Sequence, residues 1–514
     1  MLGSQDTPYD FVAYFAKSRA TKVACIDLES GRTLTYRALD ARVNQMAAAL
    51  ERMLGKEAIA GARIATLARN SSDLVCLYLA CLRTRAIYTP LNWRLTGAEL
   101  AVLAHDLAPS ILVYDTEFEG AASAIAAVAP NAICLRSSDE LEAATAAEEG
   151  AALPRPRSWQ DVTTLLCTSG TTGKPKAVMV TEANARANVA NYTFATQFGP
   201  SSVFLCDMPM FHVAGLFAVA RSSLEMGATL LISPRFAADD TVRRIADPAL
   251  GISHFFCAPQ MAQLLRDAPA FDPAHFRRLT ALQTGGAPHP ARAVLKWLDD
   301  GVCLIDGFGL SEAGTVLGMP PGDLKLLRRK AGAAGLPAIT IEVRLVDRSG
   351  REVGDGEVGE IWLRGPTVTP GYWRNEEATR ATFQDGWLKT GDAAQRDEDG
   401  FFTVVDRWKE MYVSGGENVY PAEVEAALAG CAGVAEAAVI GVPDARWGET
   451  GVAFIVRRRG PEPSEADVIQ FCRGRLAAYK APKHVIFVDA LPRTASGKLQ
   501  KGALKAQWND LHRK

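Results

Sequence analysis

Residues 162–176 read VTTLLCTSGTTGKPK, an apolar run that gives way to two glycines, small hydroxyl residues and two lysines. Glycine lets the backbone turn tightly, so N–H groups and Thr or Ser hydroxyls can close around phosphate oxygens while lysine supplies cationic charge. The stretch from Thr168 to Lys176 therefore reads as a phosphate cradle, against the plainer reading of a flexible Gly/Thr loop. The nucleotide loop of the large NTPase class needs Gly five positions before its Gly-Lys pair and Ser or Thr after it. Those positions here hold Thr168 and Pro175, which makes that class a weak competitor.

Outward from this stretch the chain keeps a strand–helix rhythm. Between about Asp40 and Pro130, helix-like segments such as ALDARVNQMAAALERML alternate with short apolar runs such as ARIATLA and SILVYD, the pattern of a helix-covered and mostly parallel sheet. The rhythm resumes after residue 200 in SVFLCDMPM, ATLLIS and HFFCAP, with helix-like segments at 242–245 and 261–265. From Ile341 the character changes: IEVRLVD alternates apolar and polar residues and GEIWLRG follows a Gly-rich turn, which predicts antiparallel strands of a distinct sub-region. Near Asp406 a strand, a charged turn and a double glycine precede a helix starting at Pro421. A domain boundary is placed there. The last hundred or so residues alternate strands (AEAAVIGV, VAFIVRR, HVIFVD) with helices (AEVEAALAG, ADVIQFCRGRLAAY), as a small α+β domain does.

The bulk properties narrow the function. A chain of 514 residues has room for more than one domain, and a net charge of -2 gives no general pull towards nucleic acid or an anionic membrane, so an anionic ligand must be held locally. The start, MLGSQDTPYD, lacks the basic and apolar stretches of a secretory signal, and no segment approaches a membrane span; a cytoplasmic protein is expected. The 10 cysteines show no CxxC pairing, and several sit in apolar runs such as LVCLYLACL, as reduced core thiols do.

Three further strings carry chemistry. In DGFGLSEAG (306–314), Phe308 could stack on a nucleobase, Ser311 could bond a phosphate and Glu312 could hold Mg²⁺ through oxygen. In LKTGDAA, Asp392 follows a Gly turn and could accept from two ribose hydroxyls, or merely cap the turn. In PRTASGKLQK, Lys498 sits in a Gly/Ser loop near the C-terminus, where a lone lysine is otherwise only solvated.

Together with MPMFHVAG (208–215), TGGAP (284–288), TGD (390–392) and DRWKEMYVSGGENVYPAEVE, these strings resemble the acyl-adenylate-forming superfamily of acyl-CoA synthetases, peptide-synthetase adenylation domains and luciferases. The resemblance covers nearly the whole chain. It implies an α/β fold with a large N-terminal domain (1–408) of stacked, mostly parallel sheets with helices plus a β-rich subdomain, and a small mobile α+β C-terminal lid (409–514) hinged at Lys409. By the same resemblance Thr168, Ser169, Gly170, Thr171, Thr172, Gly173 and Lys176 form the phosphate loop, and Gly286, Ala287 and Pro288 line the adenine pocket. Asp306, Gly307, Phe308, Gly309 and Ser311 complete the nucleotide site, Asp392 and Arg407 hold the ribose, and Thr168 with Glu312 serves Mg²⁺. Lys498 bridges the substrate carboxylate and the α-phosphate, and His212 gates the acid pocket.

Gly415 and Gly416, in the SGGENVYP stretch, resemble the segment that lines the pantetheine tunnel of coenzyme A. The implied reaction is ATP-dependent activation of a carboxylic acid followed by transfer to coenzyme A, with no covalent enzyme nucleophile. Phe308 and Ser311 stand where family members often carry Tyr and Thr; both changes keep the ring or the hydroxyl. Walls at 212–217, 283–287 and 308–318 that mix small and apolar residues point to an uncharged, mid-sized acyl group. The closest likeness in these stretches is to ligases of aryl and hydroxycinnamic acids such as ferulate or 4-coumarate, with medium-chain fatty acids as the alternative. Loading of a carrier protein and a silent nucleotide-binding protein are the remaining rivals. A dinucleotide oxidoreductase is set aside because GFGLSEAG lacks the third glycine of its fingerprint. The sequence leaves the oligomeric state open, a homodimer included.

Overall fold

The computed structural model describes residues 7–511 except 138, 148–156, 169–175, 288, 409, 415–416, 445, 459, 461 and 494–498, with the backbone alone at 407 and 418. The chain divides into two compact units, Met1–Val343 with Leu363–Leu388, and Arg344–Trp362 with Lys389–Lys514.

The first unit is built on two sheets, as its strand–helix rhythm predicts. In the six-stranded sheet, Ile133–Arg136, Ile111–Tyr114, Arg63–Leu67, Ile87–Pro90 and Val162–Thr168 run parallel in that spatial order, and Lys176–Thr181 closes the edge antiparallel to Val162–Thr168. In the nine-stranded sheet, six parallel strands (Leu304–Leu310, Ala281–Thr284, His254–Cys257, Val203–Cys206, Thr229–Ile232 and Val23–Asp27) are flanked by antiparallel strands at both ends. Helix Tyr36–Leu54 buries Leu39, Val43, Met46, Ala47 and Leu50, a three-to-four spacing that puts one apolar stripe against the core, and Thr35 caps it by accepting from the Ala38 amide. The run LVCLYLACL becomes helix Ser72–Thr84, buried on every face, which is why it lacks an amphipathic pattern. All ten cysteines are free thiols, so the core is closed without disulfides.

One buried charge cluster braces the wall of the later site. Arg221 ends the π-helix Ala214–Arg221 and is 1% exposed. Its guanidinium donates to Glu182 at 2.6 and 3.1 Å, to Glu225 at 2.9 Å and to the Tyr78 hydroxyl at 2.8 Å. Charges so deep are tolerated only when each is paired and hydrogen-bonded, and here two carboxylates and one guanidinium meet that condition.

In the second unit, strands Glu342–Val346, Val358–Arg364, Trp387–Arg396 and Phe402–Arg407 form one sheet, the β-rich region that the alternation after Ile341 predicts. A second sheet orders Glu417–Val419, Tyr412–Ser414, Gly448–Arg457 and Val434–Asp444, with His484–Val488 parallel to Gly448–Arg457. Helices Pro421–Leu428 and Glu465–Arg473 share an apolar cluster with it that includes Val424, Leu428, Val439, Ile455 and Val468. The helix predicted through Tyr479 stops at Arg473, with Gly474, a weak helix former, at the C-cap. Among the described residues no helix is long and apolar enough to cross a membrane.

Candidate active site

Strand pairing fixes the two ends of the stretch expected to cradle phosphate. Thr168 ends one strand, Lys176 begins the next, and the two are register partners, with the Thr168 hydroxyl donating to the Lys176 carbonyl at 3.3 Å. Ser169, Gly170, Thr171, Thr172 and Gly173 lie outside the described residues. The Lys176 ammonium lies 4.9 Å from the centroid of the Tyr372 ring, and the Tyr372 hydroxyl donates to Glu312 Oε1 at 2.9 Å. Lys176 and Glu312 are thus joined through one aromatic side chain that the sequence did not single out. Tyr372 is held in turn: it bridges Val178 across the edge strand, its N–H donates to the Thr379 hydroxyl at 3.0 Å, and the Thr369 amide donates to the Glu312 carbonyl at 2.7 Å. Burial, then the neighbouring carboxylate, push its phenol above its ordinary range, so it stays a proton donor. Its only trace in the sequence is an aromatic pair after a Pro-Gly turn, TPGYW.

The Asp306 to Gly314 string folds as the end of strand Leu304–Leu310 and the turn into Gly314–Gly318. Asp306 is buried and accepts from the Gly307 amide at 3.0 Å and the Thr284 hydroxyl at 3.1 Å; Thr284 also meets His289 Nδ1 at 3.0 Å. Burial pushes Asp306 up to about 7 and His289 down to about 4, so near neutral pH the imidazole is neutral and the carboxyl is divided between its two forms. Gly285 is buried against Phe256, whereas Gly286 adopts φ +83°, a left-handed turn that a side chain strains, and stands exposed with Ala287 beside it. Pro288 lies outside the described residues. Phe308 pairs opposite Leu317 and is only partly buried, leaving ring surface free to stack; Gly309, with Gly314 O 2.4 Å from where a Cβ would stand, lets the two strands touch. Ser311 and Glu312 face a cavity also lined by Asn188, Val213, Phe217 and Thr369.

His212 sits between the strand Val203–Cys206 and the π-helix. Its ring lies 4.4 Å from that of Phe211, and its pKa falls to about 4, through burial first and Arg94 second, so the imidazole is neutral. Gly215 packs so tightly against the backbone of the same loop that a Cβ would stand 2.3 Å from the Pro209 carbonyl oxygen. Asn70, a residue not foreseen, pins the same loop: its amide N–H groups donate to the Met208 and Ser233 carbonyls at 2.9 and 3.1 Å, and its Oδ1 accepts from the Met210 amide at 2.8 Å.

In the second unit Asp392 and Arg407 are cross-strand partners. The Gly391 turn before Asp392 is fixed by Glu360, which accepts from its amide at 2.9 Å, and by the Thr390 hydroxyl, which donates to the Ile361 carbonyl at 2.8 Å. The two residues expected at the ribose thus share one edge of one hairpin. Lys409, Gly415, Gly416 and Lys498 lie outside the described residues.

The donor set suits Mg²⁺. Glu312 gives one lone pair of Oε1 to Tyr372, and a carboxylate offers about four acceptor positions. Mg²⁺ beside nucleotides takes one or two carboxylates, with phosphate and water oxygens completing its shell. No cluster of three or more His, Cys, Asp or Glu able to cage a metal exists among the described residues.

Residues 12–373 match the AMP-binding enzyme family and residues 423–498 match the AMP-binding enzyme C-terminal domain. The chain is 38% identical over 496 residues to a feruloyl-CoA synthase of an Amycolatopsis species, covering 96% of this chain and 97% of that protein. It is 34% identical over 492 residues to the indoleacetate–CoA ligase of Aromatoleum aromaticum, covering 92% and 94%. The structure superposes on ATP-bound MatB of Rhodopseudomonas palustris with a TM-score of 0.88 at 31% identity, covering 98% of this chain and 99% of that one. With both family domains matched in order, and with relatives above 30% identity along almost the full length, the chain belongs to the AMP-binding enzyme family of the acyl-adenylate-forming superfamily.

Proposed function

We propose that this AMP-forming acid–thiol ligase takes an aromatic or hydroxycinnamic acid, ferulate and 4-coumarate being the leading candidates, and converts it to its coenzyme A thioester. The observation that carries the choice of acid is the neutral wall at His212: an uncharged imidazole against Phe211, on the loop that Gly215 packs against, suits a flat apolar acyl group. The likeness to a feruloyl-CoA synthase supports the same class.

In the first half-reaction a carboxylate oxygen bonds to the α-phosphorus of ATP while the bond from that phosphorus to the bridging oxygen breaks, so pyrophosphate leaves. In the second, the coenzyme A sulfur bonds to the acyl carbon, its proton is lost, and AMP departs. The cradle from Thr168 to Lys176 holds phosphate oxygens, and Glu312, steadied by Tyr372, would hold Mg²⁺. When bound, that ion neutralises charge on the phosphate oxygens. Gly286 and Ala287 with Phe308 take the adenine, the Asp392 and Arg407 pair the ribose, and Lys498 offsets charge developing between the carboxylate and the α-phosphate. The segment after Lys409 acts as a lid that presents Lys498 for adenylation and Gly415 and Gly416 for thioester formation.

The deciding experiment measures thioester formation with ATP and Mg²⁺ across ferulate, 4-coumarate, benzoates and straight-chain acids. Preference for an arylpropenoic acid, with AMP and pyrophosphate released, is expected. Preference for medium-chain acids overturns the choice of acid, adenylate without thioester points to a carrier-protein acceptor, and no turnover defeats the enzymatic assignment. Lys498→Ala should cripple adenylation and spare thioester formation from supplied acyl adenylate; equal loss in both refutes its role.

A further inference from the structure

The loop that carries Lys498 is closed at its base by described residues. Arg493 and Leu499 form an antiparallel bridge, and the Gln500 amide donates to the Pro492 carbonyl at 2.8 Å. Leu491 before the loop and Leu504 after it share an apolar cluster with Ala438, Ile440 and Phe454, so both stems are seated on the sheet. The next residue in line, Lys501, opens helix Lys501–Leu511, which has no acidic residue in its first turn. A cation at a helix N-terminus opposes the helix dipole, so this lysine is poorly placed for the helix it begins.

What it meets explains the position. The Lys501 ammonium bonds Glu425 at 2.9 Å and Glu410 at 3.2 Å, with only 10% of its side chain exposed. Burial alone would lower its pKa, but Glu425, Asp406 and Glu410 more than offset this and hold it above the ordinary range, as a permanent ammonium. Each carboxylate is tied to backbone or lies beside it in sequence: Glu425 accepts from the Val439 amide at 2.7 Å, and Asp406 accepts from the Ala422 amide at 2.7 Å, at the start of helix Pro421–Leu428. Asp406 and Glu410 flank position 409, where the sequence places the hinge. The base of the Lys498 loop and the stretch around the hinge are therefore joined through one buried charge.

We propose that Lys501 is the positioning residue for Lys498: clamped by Glu410 and Glu425, it ties Leu499 and Gln500, the residues that follow Lys498, to the stretch that begins at Glu410. Lys501 touches no reactant in this role, and the inference rests on the part assigned above to Lys498.

The test uses the full chain and separates the half-reactions: pyrophosphate release from acid and ATP, and thioester formation from supplied acyl adenylate. For Lys501→Met, which keeps the length and removes the charge, adenylation turnover is expected to drop at least about tenfold, equivalent to about 1.4 kcal/mol of transition-state stabilisation, with KM for ATP and acid held within about twofold. Thioester formation should hold within about twofold, and Lys501→Arg should restore most of the adenylation. Glu410→Gln, at the more exposed partner, serves as a second variant should Lys501→Met fold poorly, and should show the same selective loss in smaller degree. Parallel loss of both half-reactions, or unchanged adenylation in folded protein, overturns the proposal. Lys498→Ala is run alongside: if it leaves adenylation intact, the role of Lys498 fails and its positioning by Lys501 with it. If it cripples adenylation while the Lys501 and Glu410 variants behave as the wild type, only the positioning proposal falls.

Discussion

Replacing Tyr372 with Phe isolates one hydrogen bond at the mouth of the phosphate cradle. The ring stays, and with it the contact to the Lys176 ammonium at 4.9 Å, the bridge to Val178 and the amide bond to Thr379; only the hydroxyl that donates to Glu312 at 2.9 Å is lost. Hydrogen bonds to charged groups contribute about 1.5–3 kcal/mol. Glu312 is partly open to solvent, and water can replace the lost donor, so the lower end of that range applies. A penalty near 1.4 kcal/mol corresponds to about a tenfold fall in kcat/KM for adenylation. Because Glu312 is the residue proposed to hold Mg²⁺, the same variant should need more Mg²⁺ for half-maximal rate. The assay is continuous pyrophosphate release with a saturating acid, titrated in turn with ATP and with Mg²⁺. Since the Tyr372 phenol lies above its ordinary range, it donates at every pH used, and the wild-type to variant ratio should be flat from pH 6 to 9. A variant within about twofold of wild type, with an unchanged Mg²⁺ requirement, would mean that Glu312 is oriented by something other than Tyr372.

Asp306 should make stability depend on pH. Its ordinary carboxyl pKa of 3.8 rises to about 7 in the fold, so between these values the folded chain holds a proton that the unfolded chain releases, and stability falls as pH rises through that window. The full effect is on the order of 4 kcal/mol, and in pH-dependent melts Asp306→Asn should remove that slope; an identical slope in the variant counts against a buried neutral carboxyl. Arg221→Met leaves Glu182 and Glu225 without their shared cation in the core and should cost about 3–5 kcal/mol by denaturant unfolding. A loss under about 1 kcal/mol would show that these carboxylates are satisfied without it. Gly215→Ala forces a Cβ against the Pro209 carbonyl and should shift the His212 loop. KM for the acid is expected to rise about tenfold while KM for ATP stays constant, and an equal rise in both would place the damage elsewhere.

The parts of this protein legible in its sequence are those whose chemistry is local. Strand and helix runs declare themselves by apolar spacing, and the strands Val162–Thr168 and Lys176–Thr181 by the apolar runs on either side of a Gly-rich stretch. Asp392 and Arg407 also fall together because they lie on adjacent strands of one hairpin, fifteen positions apart in the chain. Illegible were the residues that hold these groups still. Tyr372 reaches Glu312 only because the segment 369–373 adds to the edge strand Lys176–Thr181, a pairing across almost two hundred residues that no periodicity announces. Asn70 reaches Met208, Met210 and Ser233 from the end of a strand in the other sheet, and in the sequence it is merely an Asn before two serines. The physical difference is that a cradle or a turn constrains its own backbone, so residue type reports directly on conformation, whereas a supporting hydrogen bond constrains two distant backbones and leaves no rule on either. A substitution in a supporting residue therefore acts through the placement of the group it holds, not by removing a group that touches the ligand. Tyr372→Phe and Lys501→Met should accordingly lower turnover while leaving the affinity for ATP nearly untouched, the opposite of what loss of a lysine in the cradle itself would do.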